Sequence, residues 1–215
     1  GARVETPRDL DGLRGADLAV VVNPNNPDGA LRDAAALRAL ARDVGLLLVD
    51  EAFVDFLPAG ASLAGAVPDN AVVLRSFGKA HGLAGLRLAF AICAPVRAAA
   101  LRAEIGPWPV SGLAIAIGVT ALADRDWRDR ARRLALAGAE RLDRLLTRSG
   151  LIARGAAPLF RYLETPRAAA LHRALAEAGI WTRAFAGRPD ALRIGLPFGA
   201  AAWSRLERAL TAFEG

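Results

Sequence analysis

An α/β architecture, with a mainly parallel sheet followed by a smaller α+β region, is predicted by three features of the sequence. Short uninterrupted apolar runs alternate with segments of helical period, polar clusters stand directly after those runs, and the pattern loosens after Gly150. Apolar runs of four or five residues suit strands covered on both faces, the usual state of a parallel sheet.

The first run is Leu18 to Val22 (L-A-V-V-V), which ends in N-P-N-N-P-D-G. Asn-Pro and Asp-Gly favour turns, so a buried strand followed by a tight turn is expected. Leu37, Leu40, Ala41 and Val44 recur at helical spacing, and Gly45 is the stop signal. A second strand is expected at Leu46 to Val49, closed by Asp50-Glu51-Ala52-Phe53, and a third at Ala71 to Leu74, running into R-S-F-G-K-A-H-G-L-A-G. Leu86 to Cys93 is the fourth, with Arg87 as its one charge; Cys93 at its end is expected in the core.

From Pro95 to Ser149 the period is helical, broken at Gly106-Pro107-Trp108-Pro109, and one long helix is expected from about Trp127 to Arg148. Beyond Gly150 the expected order is a strand at Leu159 to Leu163, a helix at Pro166 to Ala178, and an edge segment at Ile180 to Arg183. A strand at Ala191 to Leu196 and a closing helix at Ala200 to Phe213 complete it. The division expected from this change is a large domain over 1–149 and a small C-terminal domain over 150–215.

Composition narrows the function. The chain has 215 residues, 53% hydrophobic and 23% charged, long enough to bury a substantial core and too apolar for disorder. The formal charge of +6 invites a nucleic-acid reading, but basic residues interleave with acids, as in D-R-D-W-R-D-R-A-R-R from Asp124 to Arg133. That pattern reads as a solvated helix face, and aromatics, at 6%, form no stacking platform, so no nucleic-acid partner is expected. No apolar run reaches the roughly 18 residues of a membrane span, and no membrane partner is expected. A single cysteine builds no internal disulfide, which fits a cytoplasmic setting. The opening G-A-R-V-E-T-P-R has no signal-peptide core and no initiating Met, so a portion of a longer chain is expected.

Of 28 basic residues only Lys79 is a lysine. Arginine keeps its proton near neutral pH, whereas a lysine amine can lose it and act as a nucleophile. Lys79 lies in one of three polar clusters placed after strands: Asn23 and Asn26 after the first, Asp50 after the second, Ser76 and Lys79 after the third. Ligands of open parallel sheets bind outside the carboxyl ends of the strands. Each cluster alone has a plain structural reading, as a turn, a helix cap or a glycine loop; their convergence on one sheet edge favours a site. A phosphate loop ending at Gly78-Lys79 would need Gly at position 73 and Ser or Thr at position 80, where Val73 and Ala80 stand. No G-x-G-x-x-G follows the first strand, and His81, His172 and Cys93 lack metal-ligand spacing, so no metal is expected. His172 reads as a surface residue, and His81 as a residue that could line the site.

Asn23 to Gly29 (N-P-N-N-P-D-G), Val49 to Phe53 (V-D-E-A-F) and Ser76 to Arg87 (S-F-G-K-A-H-G-L-A-G-L-R) together resemble the class I/II aminotransferase superfamily. They match in order and approximate spacing, and Leu192 to Pro197 (L-R-I-G-L-P) is similar to its carboxylate-binding segment. The resemblance implies the pyridoxal-phosphate (PLP) transferase fold of aspartate aminotransferase type, PLP as cofactor, and a homodimer whose second subunit completes the site. It implies that Lys79 joins the cofactor covalently and moves protons, and that Asp50 pairs with the pyridine nitrogen. Asn26 would donate to the phenolic oxygen, Ser76 and Arg87 would hold the cofactor phosphate, and Arg193 would grip the substrate α-carboxylate.

This chain departs from the family pattern in three ways. Phe53 stands where Tyr is usual, Gly78 where many members have Ser or Thr, and an N-terminal segment bearing a phosphate loop and a ring-stacking aromatic has no counterpart. Gly179 to Arg183 (G-I-W-T-R) is similar to a segment whose arginine meets a substrate phosphate, which makes Arg183 the candidate for that group. R-S-F-G-K, Phe53 and G-P-W-P-V-S resemble the branch that decarboxylates L-threonine O-3-phosphate to (R)-1-aminopropan-2-yl phosphate in cobalamin biosynthesis. The alternative within the family is a histidinol-phosphate-type aminotransferase using 2-oxoglutarate. From other classes, a regulatory module without turnover or an inactive fragment are the alternatives.

Overall fold

The computed structural model describes residues 1–214. Two compact units divide the chain: Gly1–Asn23 with Arg32–Arg125, and Pro24–Leu31 with Asp126–Gly215.

The first unit is built on a four-stranded sheet in the order β1-β2-β3-β4. β1 (Leu18–Val22), β2 (Leu46–Asp50) and β3 (Ala71–Ser76) run parallel, and β4 (Ala89–Cys93) is antiparallel to β3. α1 (Ala34–Ala41), N-capped by the Asp33 carboxylate on the Ala35 N–H, packs Leu37 and Leu40 into a core with Ala19, Val21, Leu47, Val49, Ala71 and Val73. These strand residues alternate, so one sheet face carries the core. Complete cover of both faces was expected, but Leu18 and Val20 are 54% and 52% exposed and the whole of β4 is open or half-open. Cys93 is accordingly half-buried on an edge strand rather than in the core.

The fourth strand starts at Ala89 rather than Leu86, because a 3-10 turn over Ala84–Leu86 precedes it and Arg87 takes a left-handed backbone (φ 53°). The short helix α2 (Phe77–Ala80) follows β3, and α3 (Pro95–Ile105) and α4 (Gly112–Ala123) follow β4. α4 is apolar around its whole circumference, yet Leu113, Ile115, Val119 and Leu122 are all exposed. Gly118 in its middle lies under the Leu88 side chain, whose tip a Cβ there would meet at 2.8 Å.

The second unit carries an antiparallel sheet in the order β5-β6-β8-β7, made of Ala153–Arg154, Phe160–Glu164, Arg188–Gly195 and Arg183–Phe185. α5 (Arg125–Arg148), α6 (Ala168–Glu177) and α7 (Gly199–Glu214) supply Leu142, Leu146, Leu171, Leu175, Leu206 and Leu210 to its core. The sequence placed a boundary at 149/150, after the long helix. The compact units part at 125/126, and Leu142, Leu145 and Leu146 of that helix pack with Leu163, Leu192 and Ile194. Arg161 is buried on β6, where Asp143 of α5 accepts from its Nε and NH2 at 2.5 and 2.9 Å and the Ala157 and Phe160 carbonyls accept from NH1. Among the described residues no helix is long and apolar enough to cross a membrane.

Candidate active site

In the first unit the parallel ladder continues past the strand ends. The Asn23 N–H donates to the Asp50 carbonyl and the Glu51 N–H to the Leu74 carbonyl, both at 2.8 Å. Asp50 ends β2 half-buried, and its Oδ1 accepts the Ala52 N–H at 2.9 Å, which holds the carboxylate in the turn. Ser76 ends β3, also half-buried, and its hydroxyl makes no capping bond to α2. Lys79 lies one turn further on α2, exposed, with its ammonium 5.8 Å from the Phe53 ring centroid. Successive strand residues point to opposite faces, and register pairs Asp50 with Leu74. Asp50 and Ser76 therefore share a face, while Glu51 and Arg75 share the other.

His81 is stacked on Phe77, with ring centroids 4.1 Å apart and an 8° interplanar angle, and its Nδ1 lies 3.3 Å from the Phe77 carbonyl. The ring is thus held against its own helix. Gly78 is explained by a close approach: a Cβ there would lie 2.7 Å from the Ala84 Cα, so the Ser or Thr usual in the family has no room. Arg87 is exposed, and its guanidinium donates to the Ala84 carbonyl at 3.3 Å. Asn23 is wholly buried; its side chain exchanges two hydrogen bonds with the Arg32 backbone at 2.7 and 3.1 Å, a loop-closing role.

In the second unit Arg193 of β8 donates to the Asn26 side-chain oxygen, which leaves the Asn26 amide hydrogens as donors for another group. Arg193 also lies 4.9 Å over the Phe160 ring, and register pairs it with Arg183 of β7. Burial, and then the like charge of Arg183, hold the Arg193 guanidinium below its ordinary value. Two arginines directly opposite across a strand pair repel each other, which suits a place where an anion binds. His172 is half-buried rather than a surface residue. Its Nδ1 is 2.7 Å from Thr182 Oγ1, and its ring meets Trp181 edge to face at 5.3 Å.

A cluster that the sequence reading passed over lies on the core side of the strand ends. Glu51, fully buried, accepts from the Ser62 hydroxyl at 2.5 Å and the Leu63 N–H at 2.6 Å. Arg75 lies 3.8 Å from the same carboxylate and is ion-paired with Asp55. Burial raises the Glu51 carboxyl above its ordinary value; Ser62, Leu63 and Arg75 oppose the rise, and Asp55 adds to it. The signal available in sequence was parity: Glu51 and Arg75 are each offset by one from a candidate site residue.

The first unit thus carries chemistry-bearing side chains at the carboxyl ends of parallel strands, and the second carries Asn26, Arg183 and Arg193 with its antiparallel sheet. The aminotransferase class I and II family model matches residues 8–211. A threonine-phosphate decarboxylase of Pseudomonas aeruginosa is 45% identical over 209 residues, spanning 95% of this chain and 62% of that protein. One from Sinorhizobium is 43% identical, spanning 100% and 66%. Histidinol-phosphate aminotransferase 2 of Pseudomonas fluorescens Pf-5 is 35% identical, spanning 84% and 52%. Among solved structures, histidinol-phosphate aminotransferase from Sinorhizobium meliloti in complex with pyridoxal-5'-phosphate superposes with a TM-score of 0.84 at 27% identity, over 96% of this chain and 61% of that one. The chain belongs to the class I and II aminotransferase family. It spans 62–66% of the length of the two decarboxylases.

Proposed function

We propose that this chain carries the lysine-bearing part of a PLP-dependent decarboxylase acting on L-threonine O-3-phosphate. The observation that carries the reading is the 45% identity to a threonine-phosphate decarboxylase across 95% of the chain. The donor set fits PLP: an exposed amine on α2, a carboxylate held in the turn after β2, and a hydroxyl ending β3 without a capping partner. Lys79 Nζ would be the covalent attachment point and would deliver the proton that takes the carboxylate's place at the substrate Cα. Asp50 would keep the pyridine nitrogen protonated, Asn26 would donate to the phenolic oxygen, and Ser76 and Arg87 would hold the cofactor phosphate. Bound there, PLP supplies an electron sink for the bond that breaks at Cα.

Arg193 and Arg183, paired across β7 and β8, are the groups for the substrate's carboxylate and phosphate. The carboxylate leaves as CO2 and a proton takes its place at Cα, giving (R)-1-aminopropan-2-yl phosphate, the product that cobalamin biosynthesis would consume. The decarboxylase-like motifs R-S-F-G-K and G-P-W-P-V-S support this reading over transamination. By the same resemblance the whole protein is a cytoplasmic homodimer.

The test supplies PLP and O-phospho-L-threonine to the chain alone, and to a chimera completed by the part of the Pseudomonas aeruginosa relative that it does not span. CO2 from wild type and none from Lys79→Ala supports the reading. Conversion of histidinol phosphate with 2-oxoglutarate, without CO2, replaces it by the aminotransferase.

A further inference from the structure

The carboxyl ends of β2 and β3 each present two polar residues in succession, Asp50-Glu51 and Arg75-Ser76. Asp50 and Ser76 lie on the open face and are the candidate ligands. Glu51 and Arg75 lie on the core face, where an isolated charge is costly to bury. Three partners gather them into one network. Glu51 accepts from Ser62 and from the Leu63 N–H, Arg75 reaches Ser62 Oγ at 3.4 Å and Glu51 at 3.8 Å, and its other end pairs with Asp55.

These partners come from separate stations: Asp55 on the 3-10 turn Val54–Phe56, Ser62 capping the 3-10 turn Leu63–Gly65, and Arg75 on β3. The network therefore ties the segment after β2 to the strand beside it. The apolar ladder within the strands stops at Val49 and Val73, and the next core-facing residues of β2 and β3 are charged.

We propose that Arg75 is a positioning residue. Held by Asp55, Glu51 and Ser62, it fixes the ends of β2 and β3 from the core side, so that Asp50 and Ser76 keep the separation and direction needed to address one cofactor. The inference rests on the PLP reading for what those two residues address, but not for the ordering of the strand ends. A planar fork is needed, because the guanidinium spans Asp55 at one nitrogen and Ser62 with Glu51 at another. A lysine ammonium is a single point and holds one side at a time.

The experiment compares wild type, Arg75→Gln and Arg75→Lys in two measurements. Without cofactor, amide hydrogen exchange is followed at Glu51 and Leu63, with Leu48 and Val72 as controls inside the strands. PLP is then titrated by absorbance, and the pH midpoint of the bound chromophore is recorded. Arg75→Gln is expected to speed exchange at Glu51 and Leu63 at least tenfold with the controls unchanged, to weaken PLP binding about tenfold, and to move the pH midpoint. Arg75→Lys is expected to fall between the two.

Unchanged exchange at Glu51 and Leu63 would overturn the proposal. Faster exchange with wild-type PLP affinity and pH midpoint would also overturn it, leaving Arg75 a merely structural residue. If neither wild type nor its chimera completed from the Pseudomonas aeruginosa relative takes up PLP, the cofactor reading fails, and the exchange measurement still decides whether Arg75 orders the strand ends.

Discussion

Glu51 and Asp50 are adjacent carboxylates in opposite surroundings. Asp50 is half-buried with one oxygen on a backbone N–H, whereas Glu51 is sealed in the core and raised by burial. A carboxyl raised on folding binds protons more tightly in the native state than in the unfolded chain. Its stabilising contribution is complete below the unfolded value, about 4.3 for glutamate, and is lost as pH rises through the folded value. Glu51→Gln keeps a carbonyl for the Leu63 N–H and removes the titration. Urea midpoints measured from pH 4 upward should therefore fall less steeply for Glu51→Gln than for wild type. Equal slopes would show that Glu51 has no raised pKa. At this scale residue types are legible in the sequence and their environments are not. The lone Lys79 stood out by count, but nothing in D-E-A-F says which acid faces the core until the strand's parity is known.

At the scale of elements, the apolar runs placed β1, β2 and β3 within two residues, because a buried strand declares itself by hydrophobicity and its turn by Asn, Pro, Asp and Gly. The start of β4 was misplaced because Leu86 is apolar but belongs to a 3-10 turn, and the two-residue β5 carries no period at all. Contact between elements was also illegible. Gly78 reads as a departure from the family, yet it is the point where α2 meets the turn Ala84–Leu86. The obstacle to a side chain is the Ala84 Cα, which cannot rotate away. Gly78→Ser should therefore separate these two elements, at a cost of about 1–3 kcal/mol for overpacking. A loss of that size in a urea titration is expected; a variant as stable as wild type would show that the approach relaxes freely. The substitution restores the family's hydroxyl without restoring the space for it.

At the scale of the molecule, the division into units cuts across sequence order. Pro24–Leu31 leaves the first unit between Asn23 and Arg32 and belongs with Asp126–Gly215. The turn that the sequence assigned to the first strand is thus structurally part of the second unit. No local pattern records this, because it depends on contacts more than a hundred residues apart. The Ala156 N–H donates to the Gly29 carbonyl at 2.7 Å, and Arg193 donates to Asn26. Backbones meet closely there: Gly29 has φ +69°, and a Cβ on Gly155 would lie 2.2 Å from the Asp28 carbonyl oxygen, so both glycines are required. A fragment of residues 126–215 retains the leucine core of α5, α6 and α7 but loses this segment. It should fold with its helices intact, while Ala156 and Arg193 lose partners that only residues 24–31 provide. Amide exchange at Ala156 should be faster in the fragment than in the whole chain, and a synthetic peptide of residues 24–31 should slow it again. Full protection of Ala156 in the fragment alone would mean that the Gly29 carbonyl is not what protects it, and that the second unit is ordered there without that turn.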